Sequence, residues 1–376
     1  TLVPADTLVD ENTSNATVGE VVITKSANDA EVQIGESTFT DRAFIYGQGI
    51  TVNGPMTGDS EISVIALSGD IAVVDEAVVS VLSTGGDVRL LAVNGDVLIT
   101  DGGVTADDNI TLTSTTGNIT MASGSLTAST SVNLTAMNGA ISHTLGTVST
   151  GVVTATAATG VTLNTAADSA IIDVTAVGDL AVNEMDAITL TSLTTADGAI
   201  AVQAGGTITA TLVNSSNVSD GGNDVSLEST DGDVDLGDVN AGTDDASVTA
   251  TGAITDGRGG DDTTAANIVA TMATLSAGAG IGTTADDLDV QLGSGGSPNN
   301  GTLVAMNTGA GDINITQLAA GGDLVVTKLQ QQDDTDAGNI TLVVADDLLT
   351  LSTDGTVAAG SGDIELTTTG TTRNIE

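Results

Sequence analysis

Carboxylates are the residues in this sequence with the numbers and spacing to do chemistry. The 376-residue chain carries 50 Asp and Glu against six Lys and Arg, a formal charge of −44. Asp231, Asp233 and Asp235 alternate as D-x-D-x-D. Further acids stand together at Asp244-Asp245, Asp261-Asp262, Asp286-Asp287 with Asp289, Asp333-Asp334 with Asp336, and Asp346-Asp347. Oxygen donors grouped in this way suit a hard cation such as Ca2+, which takes several carboxylate and carbonyl ligands in flexible geometry. Repulsion gives a reason for one to bind, because like charges on neighbouring strands destabilise a sheet. The candidate calcium ligands are therefore Asp231, Asp233, Asp235, Asp261, Asp262, Asp286 and Asp287. The match to a helix-loop-helix calcium loop is incomplete: Leu236 stands where a Gly is needed, and no Glu closes the loop. The alternative is a solvated strand face, with the three alternating Asp outside and Val234 and Leu236 inside.

Other chemistry is poorly provided for. Cysteine is absent, so thiolate ligands and disulfides are excluded. His143 has no second His or Cys to complete a metal site, and it occupies the column of Ile99 and Met121, which makes it a core residue. The six basic residues, Lys25, Arg42, Arg89, Arg258, Lys328 and Arg373, are scattered. Nucleic acid needs a basic patch, and anionic membranes are repelled by this charge, so neither is an expected partner. Cleavage of acidic polysaccharide, a reaction known on parallel β-helices, needs basic groups for the substrate and aromatics to stack on sugars. The repeats have neither, and the chain is read as non-enzymatic. The Asn-x-Thr sequons, such as Asn109-Ile-Thr111 and Asn339-Ile-Thr341, follow from strand alternation in a Thr-rich chain. Asn109, Asn118 and Asn339 are instead expected in turn hydrogen bonding.

The elements that would position these residues form a repeat. Between Asp87 and Ser149 the chain recurs in steps of 22 residues. Val88, Ile110 and Val132 fall in one column, and Leu90, Leu112 and Leu134 in another. Gly95, Gly117 and Gly139 follow, then Val97, Ile119 and Ile141, then Gly102, Gly124 and Gly146, and last Val104, Leu126 and Val148. A fixed period of this size signals stacked repeats. Apolar and polar residues alternate within each unit, as in strands, and Gly with Asp or Asn marks the turns. The expected fold is all-β: a parallel β-solenoid with two to three short strands per coil and about 20–24 residues per coil. At one strand spacing per coil, some 14–16 coils would stack to about 70 Å. The Val, Ile, Leu and Ala core suits narrow identical slots. Much of the Asp excess has a turn-forming cause, because its short side chain bonds nearby backbone N–H groups.

Residues 1–60 read as an irregular lead-in, cap or docking segment. It holds Phe39, Phe44 and Tyr46, the only Phe and Tyr in a chain without Trp, and these are the candidate assembly residues. Residues 61–376 read as the solenoid, with loop-rich insertions around 255–302. The period loosens to about 18–20 residues from Gly151 to Val213 and returns at Val225-Ser-Leu227. Ala265 to Leu275 is read as solenoid coil rather than helix, and Gly293 to Gly301 as an exposed loop. No run of 18 apolar residues is present, so no transmembrane helix is expected. The start at Thr1 without a leader suggests a processed chain or a fragment, and the end at Glu376 falls in mid-pattern.

The phrases Gly117-Asn118-Ile119-Thr120 and Gly338-Asn339-Ile340-Thr341-Leu342 resemble the repeats of filamentous haemagglutinin-like proteins. Ala277-Gly-Ala-Gly-Ile281-Gly-Thr283 followed by Leu288-Asp-Val290 is similar to a phrase recurring in that group. The resemblance spans about residues 61–370. It implies a right-handed β-helix from a large bacterial surface or secreted protein, often exported by two-partner secretion. The secretion-recognition domain of that group is not evident in this sequence. The expected role is a rod-like extracellular subunit of a fibre, sheath, matrix or giant adhesin. Self-association into filaments, head to tail, is the expected partnership, with cell-surface or matrix partners possible through outward loops. The alternative is a calcium-dependent surface-layer, matrix or adhesin protein.

Overall fold

The computed structural model describes residues 21–24, 32–39, 41–74, 78–81, 85–215, 222–259, 265–293, 300–331, 338–345, 349–369 and 375. These form an all-β chain without helix, its strands parallel and stacked in a β-solenoid of about 14 turns. The expected fold class is thus the observed one. Two compact units divide the chain, residues 1–183 and 184–376.

In the first unit the 22-residue columns become physical stacks. One coil contains the strands Asp87–Ala92, Val97–Ile99 and Gly103–Ala106, and the next Asn109–Ser114, Ile119–Met121 and Ser125–Ala128. Val88 pairs with Ile110, and Ile110 with Val132; Val97 pairs with Ile119, and Ile119 with Ile141. Val104, Leu126 and Val148 form the third stack. All nine are 0–1% exposed, so each coil buries one slot per strand face against its copies. Burying such a side chain contributes about 1.5–3 kcal/mol. Met121 pairs with His143, which places the histidine in the apolar column its spacing indicated.

The parallel ladder is already present before residue 61. Ala43 and Ile45, in strand Arg42–Gly47, pair with Ile62 and Val64, and Ile50 pairs with Ile71. Beyond Ser149 coil length varies. Val153 lies beside Ala170, a spacing of 17 residues, because the strand Val161–Val177 runs on without a glycine break.

The second unit departs further from the 22-residue unit. Ile188 lies beside Ile208 and Ala273 beside Leu303, spacings of 20 and 30 residues. Strands Ile268–Ala270 and Met272–Ala277 occupy the Thr-rich stretch read as solenoid coil. Most of the Gly293–Gly301 loop lies outside the described residues.

Candidate functional site

The side chains singled out for chemistry sit at coil corners, where a strand ends and the backbone ladder is interrupted. There the first unit uses a repeated device. The N–H of Asp96 donates to Asp70 Oδ1 at 2.8 Å, that of Asn118 to Asp96 Oδ1 at 2.6 Å, and that of Ala140 to Asn118 Oδ1 at 2.9 Å. Each Asp or Asn after a turn Gly thus accepts from the same position one coil on, and Ala140 ends the run. The device returns in the second unit: Asn339 N–H donates to Asp312 Oδ1 at 2.7 Å, and Asp363 N–H to Asn339 Oδ1 at 3.0 Å. Asn109 behaves similarly, donating from its backbone N–H to Asp87 Oδ1 at 3.1 Å and accepting from Ser131 Oγ at 2.7 Å. The adjacent glycines have a steric reason. A Cβ on Gly95 would lie 2.4 Å from the Gly69 carbonyl, so only glycine lets the corners stack.

The candidate calcium ligands are distributed along this framework. Asp231 is exposed in a turn, Asp233 is exposed, and Asp235 is half-buried, while Val234 and Leu236 are fully buried. Asp233 Oδ1 accepts the N–H of Ala253 at 2.7 Å, and Asp235 Oδ1 accepts the Thr255 hydroxyl at 2.9 Å. Both carboxylates therefore bind the next coil. Asp286 closes a short turn through backbone bonds with Thr283, and its Oδ1 is buried without a hydrogen-bond partner. Asp287 accepts the hydroxyl of Thr316. Asp261 and Asp262 lie outside the described residues. Among the described residues no three His, Cys, Asp or Glu side chains converge in a way that could hold a metal ion.

The aromatic trio divides. Phe39 faces the core and is 7% exposed, whereas Phe44 and Tyr46 point outward, half-buried, from strand Arg42–Gly47. Only the latter two share a surface. His143 is 1% exposed, with Nε2 against the Gly124 carbonyl at 3.2 Å and Nδ1 without a partner. Burial lowers its pKa below the ordinary histidine value, against weaker support from backbone hydrogen bonds. A shallow surface depression runs along Gln48, Gly49, Ser68 and Asp70.

Sequence reasoning missed a set of buried amides in the second unit. Asn307 Oδ1 accepts the Gly280 N–H at 3.0 Å, and its Nδ2 donates to the Gly309 and Gly311 carbonyls, both at 2.9 Å. Gln317 bonds both the N–H and the carbonyl of Leu292, at 3.1 and 2.8 Å. Asn267 donates to the Leu236 carbonyl at 2.8 Å and to Asp256 Oδ1 at 2.7 Å, and accepts from the Asp289 N–H at 2.9 Å. All three are 0% exposed. A signal existed: Asn307 and Gln317 end their strands in the inward phase of the alternation, where an apolar residue is the rule.

No protein-family model, curated protein or solved structure matches this chain.

Proposed function

We propose that this chain is a non-enzymatic structural module of the bacterial cell exterior: a stacked segment of a surface fibre, sheath, matrix or giant adhesin of the filamentous haemagglutinin-like kind. The observation that carries this reading is where the polar groups point. Backbone N–H and C=O groups run from coil to coil in parallel register, and the corner Asp and Asn extend that pattern with side chains. Such a stack is a template for further strands, and chains carrying it extend by edge pairing. A contact of that kind is heterologous and builds open filaments, head to tail. Phe44 and Tyr46 supply an outward aromatic pair for that contact. Electron microscopy with sedimentation over a concentration series tests the proposal. Particles that lengthen with concentration support it; short particles of one length at every concentration sink it.

A calcium-dependent surface-layer, matrix or adhesin role is the second reading. It is favoured by the unpartnered Asp286 Oδ1 beside Asp287. Melting curves with calcium and with chelator decide it, an unchanged midpoint counting against it.

A further inference from the structure

One corner of the second unit concentrates charge that the first unit spreads out. In the first unit the residue before each long strand runs Glu61, Asp87, Asn109, Ser131. There Glu61 lies beside Arg42, and the Asp87 carboxylate meets a neutral Asn109. The corresponding column in the second unit brings Asp224 directly against Asp245, whose N–H donates to Asp224 Oδ1 at 3.0 Å. Asp245 then lies beside Met272, which carries no charge.

Asp244 adds a third carboxylate. It is 7% exposed, its Oδ1 accepts the N–H of Gly222 at 2.9 Å, and its Oδ2 is buried with no hydrogen-bond partner. A buried acceptor left unsatisfied costs about 1–3 kcal/mol, and more when it is charged. The packed segments are 222–229, 241–250 and 271–277. Besides these three acids they carry only Glu228, whose backbone pairs with Thr249, and no Lys, Arg or His. Nothing on these segments compensates the negative charge.

We propose that Asp224, Asp244 and Asp245 form a proton-binding corner that couples the grip between successive coils to pH. One proton taken up among the three carboxylates tightens the corner, and full ionisation loosens it. This goes beyond the structural role proposed above and does not depend on it.

The titration agrees in direction. Burial, and then the charges of Asp224 and Asp244, raise the Asp245 carboxyl above its ordinary range. A carboxyl with a raised folded-state pKa favours the folded protein as it protonates. Its ionisation destabilises above that pKa, and the penalty disappears as pH falls through it.

The test uses the full chain with Asp224→Asn and Asp245→Asn. The first variant keeps an acceptor oxygen, as Asn118 and Asn339 do at like positions. Urea unfolding is followed from neutral pH down to the ordinary carboxylate range. At neutral pH both variants should be more stable than the parent, by about tenfold in the unfolding constant for each tenfold of excess proton affinity they remove. The gap should close on acidification. Carbon-13 NMR of the Asp carboxyls provides a readout free of folding effects: one resonance titrates above the ordinary range in the parent and moves back towards it in Asp224→Asn. Unfolding curves that parallel the parent at every pH would overturn the proposal. So would stabilisation by calcium that both variants lose, since the corner would then be a metal site.

Discussion

The inward residue that ends the long strand of each coil changes character between the two units. In the first unit this column reads Ala66, Ala92, Ser114, Ala136 and Ala157. In the second it runs Ala204, Ser229, Ala250 and Ala277, and then Asn307 and Gln331. Small residues suffice where successive coils have equal length, because each turn backbone meets its own copy one coil away. Where the spacing stretches to 27 or 30 residues, as between Leu288 and Ile315 or Ala273 and Leu303, corners no longer coincide. An amide can then fill the gap, offering a donor and an acceptor on one side chain. Regular repeats satisfy their corners with backbone and surface Asp or Asn; irregular ones do so with buried Asn and Gln.

The largest expected effect comes from breaking the irregular solution. Asn307→Leu strands the Gly280 N–H and two carbonyls, and unfolding should show a loss on the order of 3–5 kcal/mol. Ser114→Ala at the same column of the first unit removes one hydroxyl bonded to Gly95 O and Gly117 N–H. It should cost only about 1 kcal/mol by the same denaturant titration. Equal losses would erase the distinction between the units.

His143 gives a pH-dependent contrast within the first unit. Its folded pKa is lowered by burial, so the unfolded chain binds the proton more readily. The parent should therefore lose stability as pH falls below the ordinary histidine value of about 6.5. His143→Met reproduces the Met121 of the preceding coil and should remove that component. Thermal melts of the two proteins that keep a constant separation between pH 7.5 and 5 would contradict a neutral, buried histidine.

The smallest effect belongs to the surface ladder. Asn118→Ala removes one acceptor and should cost about 0.5–1.5 kcal/mol. Asn118→Asp keeps the acceptor, as Asp96 does one coil earlier, and should stay close to the parent at neutral pH.

Much of the first unit was legible in the sequence. The columns of Val88, Leu90 and Val97 fixed strand, face and register together, because a period of equal coils leaves one pairing that keeps every apolar residue inside. The placement of His143 followed from the same spacing. The second unit was less legible, since unequal coils remove the constant offset from which register is read. Asn307 and Gln317 interrupt the apolar alternation, and their role is visible only once the neighbouring coil is in place. Composition alone presents the Asp clusters as oxygen donors without saying what they meet. Asp233 and Asp235 bind Ala253 and Thr255, about twenty residues further on, which local spacing cannot show.

Amide hydrogen exchange resolved to single residues tests most directly the claim that corner side chains hold successive coils together. The amides of Asp96, Asn118 and Ala140 should exchange slowly, as does the strand amide of Leu112, although they lie at exposed turns. In Asn118→Ala the protection of Ala140 should be lost while that of Asp96 persists. Fast exchange at all three turn amides in the parent protein would contradict the claim.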